Sequence, residues 1–241
     1  ASANLKDAAA SIVYGKLLNS GQTCIAPDYV LIDKASQDDF VQELQVAAQA
    51  QFSNPEALTG PIDDAQLTRW QHLVGDATAR GAQAIRLLNS DTQASRNFEP
   101  VALLNVPSDA LVLQEEIFGP ILPIISTSDV ASAITYVNSK PKPLALYWFG
   151  KDKNNMNRVL NETRSGGVTI NDTLLHATVE GLPFGGVGAS GMGTYHGKAG
   201  FDAFSHRKSI LEVRGLFGLN ILRGTKLARP PYGGKIERLL R

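Results

Sequence analysis

The 241 residues contain one cysteine, Cys24, in the stretch Leu17-Leu18-Asn19-Ser20-Gly21-Gln22-Thr23-Cys24-Ile25-Ala26-Pro27-Asp28. A thiol set between a Gly-Gln turn and an apolar run suits a positioned nucleophile, because the thiolate is the reactive form and needs a fixed, accessible place. Nothing beside it supplies a base, and the nearest carboxylate in sequence is Asp28. The competing reading is that of most free cysteines, a small buried hydrophobe. The four histidines, His72, His176, His196 and His206, form no metal-ligand pattern with Cys24, so no metal is expected. Gly186-Val187-Gly188-Ala189-Ser190-Gly191 fits G-x-G-x-x-G, and Glu212 follows Gly191 by 21 residues, which mimics a dinucleotide fingerprint. The frame around it is wrong. Pro183-Phe184 stands where a strand should run, and Gly193 and Gly197 interrupt the helix that should follow. These glycines read instead as tight turns and close backbone approach.

The elements that must position these side chains follow from capping residues and periodicity. A helix is predicted over 4–18, capped by Asn4, striped by Ile12, Val13, Leu17 and Leu18, and stopped by Gly21, so that Cys24 falls in a turn. Further helices are expected over 36–52, with Phe40, Leu44, Val46 and Ala47 near one face, and over 63–80, with Gly81 as its stop. Two more are expected over 130–138, capped by Ser128, and over 153–163. Strands are expected over 29–32, 84–88, 101–106, 121–126, 144–149 and 167–170, with a polar loop over 89–97. Alternation of strands with long helices argues an α/β fold around a mainly parallel sheet. From Gly181 onward the texture changes: Gly185, Gly186, Gly188, Gly191, Gly193, Gly197 and Gly200 crowd together, a density no helix is expected to survive. Residues 215–241 read as a Gly-, Pro- and Arg-rich tail ending in a short helix over 235–241.

Composition narrows the function. A 43% hydrophobic fraction supports a sizeable core, and a net charge of zero offers nothing to nucleic acid or an anionic membrane. A lone cysteine excludes an internal disulfide framework and fits a reducing compartment. The apolar runs contain Gly and Pro and are too short to span a bilayer. No signal peptide is visible, which points to a cytoplasmic location.

Four stretches, in order, carry a family resemblance. Gly21 to Tyr29 resembles the active-site signature of the class-3-like branch of the aldehyde dehydrogenases. Gln114-Glu115-Glu116-Ile117-Phe118-Gly119-Pro120 is similar to that family's cofactor loop. Asn171-Asp172 with His176 is similar to the strand that closes its substrate tunnel. Pro183-Phe184-Gly185-Gly186-Val187-Gly188-Ala189-Ser190-Gly191-Met192-Gly193, with Tyr195-His196-Gly197 and Phe204-Ser205-His206-Arg207, resembles its C-terminal loop, and Arg229-Pro230-Pro231-Tyr232 suits the same branch. Within the branch the resemblance is nearest to the coniferyl aldehyde dehydrogenase type. It implies a three-layer α/β catalytic domain over 1–214, and a tail over 215–241 packing on another domain or subunit. It also implies Cys24 as nucleophile, with its backbone N–H stabilising the oxyanion. Glu116 would hold the nicotinamide ribose of NAD or NADP and Phe118 would pack beside it. Asn171 and His176 would line the substrate entrance, although a hydrogen-bonded structural role is the stronger expectation for His176. His196 and His206 would hold the Gly-rich loop. The partners implied are a small-molecule aldehyde and a second copy of the chain.

The family's general base lies in a Glu-Leu-Gly-Gly-Lys segment upstream of the nucleophile, and only 23 residues precede Cys24 here. Glu43, Glu56 and Glu99 have the wrong order and context to replace it. The chain therefore reads as a catalytic half without its Rossmann-like cofactor domain, inactive alone. It should self-associate through the Val168 and Leu144 region or the tail. Two other readings stay open: a cofactor-free thiol hydrolase, which would need His176 or His196 within hydrogen-bond reach of Cys24, and a non-catalytic assembly module.

Overall fold

The computed structural model describes residues 2–52, 54, 58–88, 98–212 and 230. The chain divides into two compact units, Ala1–Ala203 and Phe204–Arg241. Every helix and strand named below lies in the first. The polar loop 89–97, most of the tail and its terminal helix lie outside the described residues.

Helix α1, Leu5–Leu17, starts where the Asn4 side chain accepts the Asp7 N–H, and its buried face runs through Ala8, Ala9, Ile12, Val13, Lys16 and Leu17. It ends abruptly because Asn19, Ser20 and Gly21 take φ of 51°, 51° and 74° in succession. Three left-handed residues in a row reverse the chain and carry it toward Cys24. Strand β1, Val30–Asp33, leads to α2, Gln37–Gln51, whose buried residues are Phe40, Val41, Leu44, Ala47 and Ala48. Helix α3, Asp64–Ala79, is capped by Asp63 and buries Trp70, Leu73 and Ala77. Then come β2, Gln83–Arg86, β3, Val101–Leu104, and β4, Ile121–Thr127. Helix α4, Val130–Ser139, strand β5, Ala145–Trp148, helix α5, Lys153–Glu162, strand β6, Gly167–Ile170, and the short α6, Gly197–Ala203, complete the series.

The main sheet has the order β1-β4-β3-β2, with β4 parallel to both β1 and β3 and β2 antiparallel at the edge. Strands β5 and β6 form a separate parallel pair in which Tyr147 faces Thr169. Side-chain alternation sorts the core into two layers. Ala102, Leu104, Leu122 and Ile124 pack under α1 and α2. Val101, Leu103 and Ile121 pack under α3 with Trp70, Leu73 and Ala77. Helices thus cover both faces of a mainly parallel sheet, the three-layer α/β arrangement expected.

Three local expectations are corrected. The cap of α4 is Asp129, not Ser128: its carboxylate accepts the Ser132 N–H at 2.7 Å, while Ser128 Oγ pairs with Ser132 Oγ at 2.8 Å. Val46 does not share the buried face of α2 but is 62% exposed, since it lies two residues beyond Leu44 on a helix of 3.6 residues per turn. A helix does form in the glycine-rich stretch. Gly197 stands at the start of α6 and Gly200 inside it, where seven residues with a Lys198–Asp202 ion pair at 2.7 Å suffice for a short exposed turn of helix. Because Leu44 is fully buried and Val46 is not, Leu44→Ala should cost about 2–5 kcal/mol and Val46→Ala within about 0.5 kcal/mol, read as urea-unfolding midpoints.

Candidate active site

Cys24 is exposed, at the second position of a turn over 23–26 closed by Ala26 N–H donating to Thr23 O at 2.9 Å. Among the described residues nothing takes the Cys24 N–H. The segment before it is tied on one side by Gln22. Its amide donates to Asn19 O and Gly60 O and accepts the Ile62 N–H, at 3.1, 3.0 and 2.8 Å, while Ser20 Oγ donates to Thr59 O. On the other side stands the loop 115–120. A Cβ on Gly21 would overlap the Gly119 carbonyl, and a Cβ on Gly119 would overlap the Trp70 indole. Two hydrogens, one on each glycine, are the reason the segments can touch.

That second loop is held from helix α3 and from the Cys24 segment. Trp70 Nε1–H donates to Phe118 O at 3.1 Å, and Arg69 donates to Ile117 O at 2.7 Å and to Glu116 O, with Glu115 as an ion partner at 3.3 Å. Asp28, just past the Cys24 turn, accepts the Ile117 N–H at 3.2 Å. Ile117 is fully buried as the apolar anchor. Phe118 adopts φ 49°, which turns its neighbours sharply and leaves the Glu116 side chain at the surface. Cys24, Glu116 and Phe118 line one cleft of about 1100 Å³, together with Tyr29 and Tyr147.

Beneath the cleft lies Lys16, fully buried although it ends a polar side chain on the apolar stripe of α1. Burial lowers its pKa to about 8, against the pull of the Asp28 and Glu116 carboxylates. Desolvation likewise raises Asp28, opposed by Lys16. Glu116 is raised by desolvation and then by Asp28, with Arg69 and Lys16 working against the shift. Each of these groups is therefore held closer to neutrality than its exposed counterpart.

The other expected site residues sit elsewhere. Neither Asn171 nor His176 lines the cleft. Asn171, at φ 59°, accepts the Gly150 N–H at 2.7 Å and locks the end of the β5–β6 pair. His176 is buried against Gly167, its Nδ1 2.8 Å from Thr169 Oγ1, and burial lowers its pKa. Its ring begins a column: Phe184 stacks on it at 6.0 Å, and His196 stacks on Phe184 at 5.8 Å. Among the described residues no hydrogen bond joins Cys24 to a histidine; His176 is instead paired with Thr169. The glycine-rich stretch folds back on itself through a Phe184–Tyr195 bridge and a Gly188–Gly191 bridge. A Cβ on Gly185 or Gly186 would strike the backbone of Gly193 or Ser190, so these glycines serve close approach. Among the described residues no three His, Cys, Asp or Glu side chains gather to hold a metal, and no helix is long and apolar enough to cross a membrane.

A thiol, a carboxylate and an aromatic ring thus share one cleft, from segments joined by glycine contacts. The aldehyde dehydrogenase family model matches residues 1–210. The chain belongs to the aldehyde dehydrogenase family. It is 45% identical over 240 residues to a probable coniferyl aldehyde dehydrogenase of Pseudomonas aeruginosa, covering 98% of this chain and 48% of that protein. A dimeric, NADP-preferring aldehyde dehydrogenase of Rattus norvegicus is 40% identical over 231 residues, covering 94% of this chain and 49% of the relative. Among solved structures, the substrate-bound state of Staphylococcus aureus AldH superposes with a TM-score of 0.81 at 38% identity, covering 99% of this chain and 51% of that one. The chain thus spans about half the length of the aldehyde dehydrogenases it matches.

Sequence reasoning missed Lys16, Arg69, Trp70 and Tyr147. Only Lys16 left a local sign, a cation on the stripe formed by Ile12, Val13 and Leu17. Gly21→Ala should lose about 2 kcal/mol or more, because the added Cβ meets both a left-handed φ and the Gly119 backbone; urea unfolding of the two proteins measures it. Lys16 gives a pH signature. An unperturbed lysine keeps its proton to 10.5 and Lys16 releases it near 8, so between those values the unfolded chain binds more protons and stability rises with pH. The penalty, on the order of 3 kcal/mol, is fully present below pH 8 and fades as pH approaches 10.5. Relative to Lys16→Met, the wild type should therefore gain stability between about pH 7 and pH 10; equal slopes would show that folding does not lower the Lys16 pKa.

Proposed function

We propose that this chain supplies the catalytic domain of an enzyme that oxidises an aldehyde to its carboxylic acid with NAD or NADP, using Cys24 as the nucleophile. The observation that carries the proposal is the exposed Cys24 thiol in one cleft with Glu116 and Phe118. The Cys24 thiolate adds to the carbonyl carbon, a C–S bond forms, and an electron pair moves onto oxygen. The free Cys24 N–H is a donor for that oxyanion. Glu116 and Phe118 would hold a nicotinamide nucleotide at this cleft, and that group would supply the acceptor for the hydride lost as the carbon becomes a thioester on Cys24. Water then cleaves the C–S bond, giving the acid and restoring the thiol.

The chain's residues fit such a nucleotide. Glu116 offers surface carboxylate oxygens, which are strong acceptors for paired ribose hydroxyls; Arg69 holds its backbone carbonyl, and Trp70 that of Phe118. Phe118 presents a ring at the same rim for a planar heterocycle. Residues 1–214 form the catalytic domain in this reading, and 215–241 pack on another domain or subunit. Among the described residues there is no strand-turn-helix dinucleotide frame, so these 241 residues alone should turn over little or no aldehyde. Coniferyl aldehyde and other aromatic aldehydes are the proposed substrates, supported by the name of the Pseudomonas aeruginosa relative. A homodimer is proposed for the assembled enzyme, supported by the rat relative.

The test is NAD(P)H formation by the full-length protein with coniferyl aldehyde, benzaldehyde and hexanal. Cys24→Ala should lose at least about 10³-fold in kcat, as loss of a covalent nucleophile does. Glu116→Gln should raise the nucleotide KM while leaving the aldehyde KM within about twofold. Retained turnover in Cys24→Ala would sink the proposal.

A further inference from the structure

The Cys24 turn has a second neighbour, on the side away from Gly119. Tyr147, from β5, donates its hydroxyl to the Ile25 carbonyl at 2.6 Å, across 122 residues of sequence. We propose that Tyr147 is a positioning residue for Cys24, fixing through the Ile25 carbonyl the turn that presents the thiol. The proposal rests on Cys24 being the nucleophile.

The bond acts on a particular peptide unit. The amide between Ile25 and Ala26 has its N–H tied to Thr23 O and its C=O tied to Tyr147. Both polar ends of that plane are held, so it cannot rotate without breaking a hydrogen bond. Ile25 itself is buried, while Cys24, one residue earlier, stays exposed. A rigid peptide beside an open thiol is what alignment for attack on a bound carbonyl needs, since a displacement of about 1 Å can cost on the order of 100-fold in rate.

Tyr147 is in turn fixed by its surroundings. Its ring lies 6.0 Å from that of His176, which Thr169 holds from the paired strand and on which Phe184 stacks. Burial pushes its pKa up to about 12, with the Leu174 backbone N–H pulling the other way and the Cys24 charge adding to the rise. The phenol therefore keeps its proton, and stays a donor, through neutral and moderately alkaline pH. Leu174 faces that oxygen from a left-handed backbone, φ 64° and ψ −30°, although it is a buried leucine. Such a conformation survives in a non-glycine residue only where the surroundings enforce it, and it occurs here beside the hydroxyl that holds the Cys24 turn.

The experiment compares Tyr147→Phe with wild type and Cys24→Ala in the full-length protein. Tyr147→Phe keeps the ring on His176 and removes only the hydroxyl. The expected result is a fall in kcat of about 10- to 100-fold, with aldehyde and nucleotide KM and the rate of Cys24 alkylation by iodoacetamide all within about twofold. Alkylation by a small reagent needs an accessible thiolate but no alignment, so this split separates positioning from a change in exposure or fold. Unchanged kcat, or a fall in alkylation equal to the fall in kcat, would overturn the proposal. Site-specific replacement of Tyr147 by 3,5-difluorotyrosine keeps the packing and makes the phenol more acidic. It should add an alkaline limb to the kcat–pH profile, and a profile like that of the wild type would also overturn the proposal. Turnover persisting in Cys24→Ala would instead defeat the nucleophile assignment. A dead Cys24→Ala beside a Tyr147→Phe of wild-type kcat would defeat only the role of Tyr147.

Discussion

Gly21 and Gly119 touch through their backbones, and Trp70 fills the space behind Gly119. The site depends on this contact, because it joins the segment carrying the thiol to the segment carrying Glu116 and Phe118. No side chain larger than hydrogen fits at either glycine, so the two loops meet at a fixed separation rather than over a deformable packing surface. The surrounding elements serve that contact. Three left-handed residues end α1 in time for Gly21 to reach Gly119. Helix α3 brings Arg69 and Trp70 to successive carbonyls of the loop, and Asp28 accepts the Ile117 N–H.

Charge is used sparingly and against its usual direction. Lys16 has two carboxylates near enough to favour its charged form, yet its pKa still falls to about 8. Desolvation therefore outweighs attraction, as expected where a cation leaves water without close pairing. Asp28 resists its ordinary acidity for the same reason, and so does Glu116 to the extent that it is covered. The floor of the cleft is a region where ionisation is costly. Arg69, at the edge and partly in water, supplies the permanent positive charge beside the loop.

Much of the scaffold was legible because periodicity and capping act locally. β6 runs over Gly167–Ile170 as expected, and α1, α2 and α3 differ from expectation by one or two residues at their ends. The errors arose where neighbours compete on equal local grounds. Ser128 and Asp129 are both good caps, and only the three-dimensional start of α4 selects the aspartate. The motifs placed Cys24, Glu116 and Phe118 in one cleft. What the sequence could not disclose was the holding of that cleft, which runs through contacts such as Trp70 to Phe118 and Tyr147 to Ile25, between residues far apart in the chain and of types common in any core. Asn171 and His176 lie within a motif yet face the β5–β6 pair, because a motif marks a segment and does not say which way each side chain points.

The two tryptophans of the chain divide between the two sides of the Cys24 turn. Trp70 is sealed under the 115–120 loop with its indole N–H on Phe118 O, and Trp148 follows Tyr147 on β5. Replacing Trp148 alone would leave Trp70 as the sole indole emitter, in a dry pocket whose polarity changes only when the loop lifts. Movement of the loop beside the thiol could then be watched in real time, with no dye attached to the one cysteine.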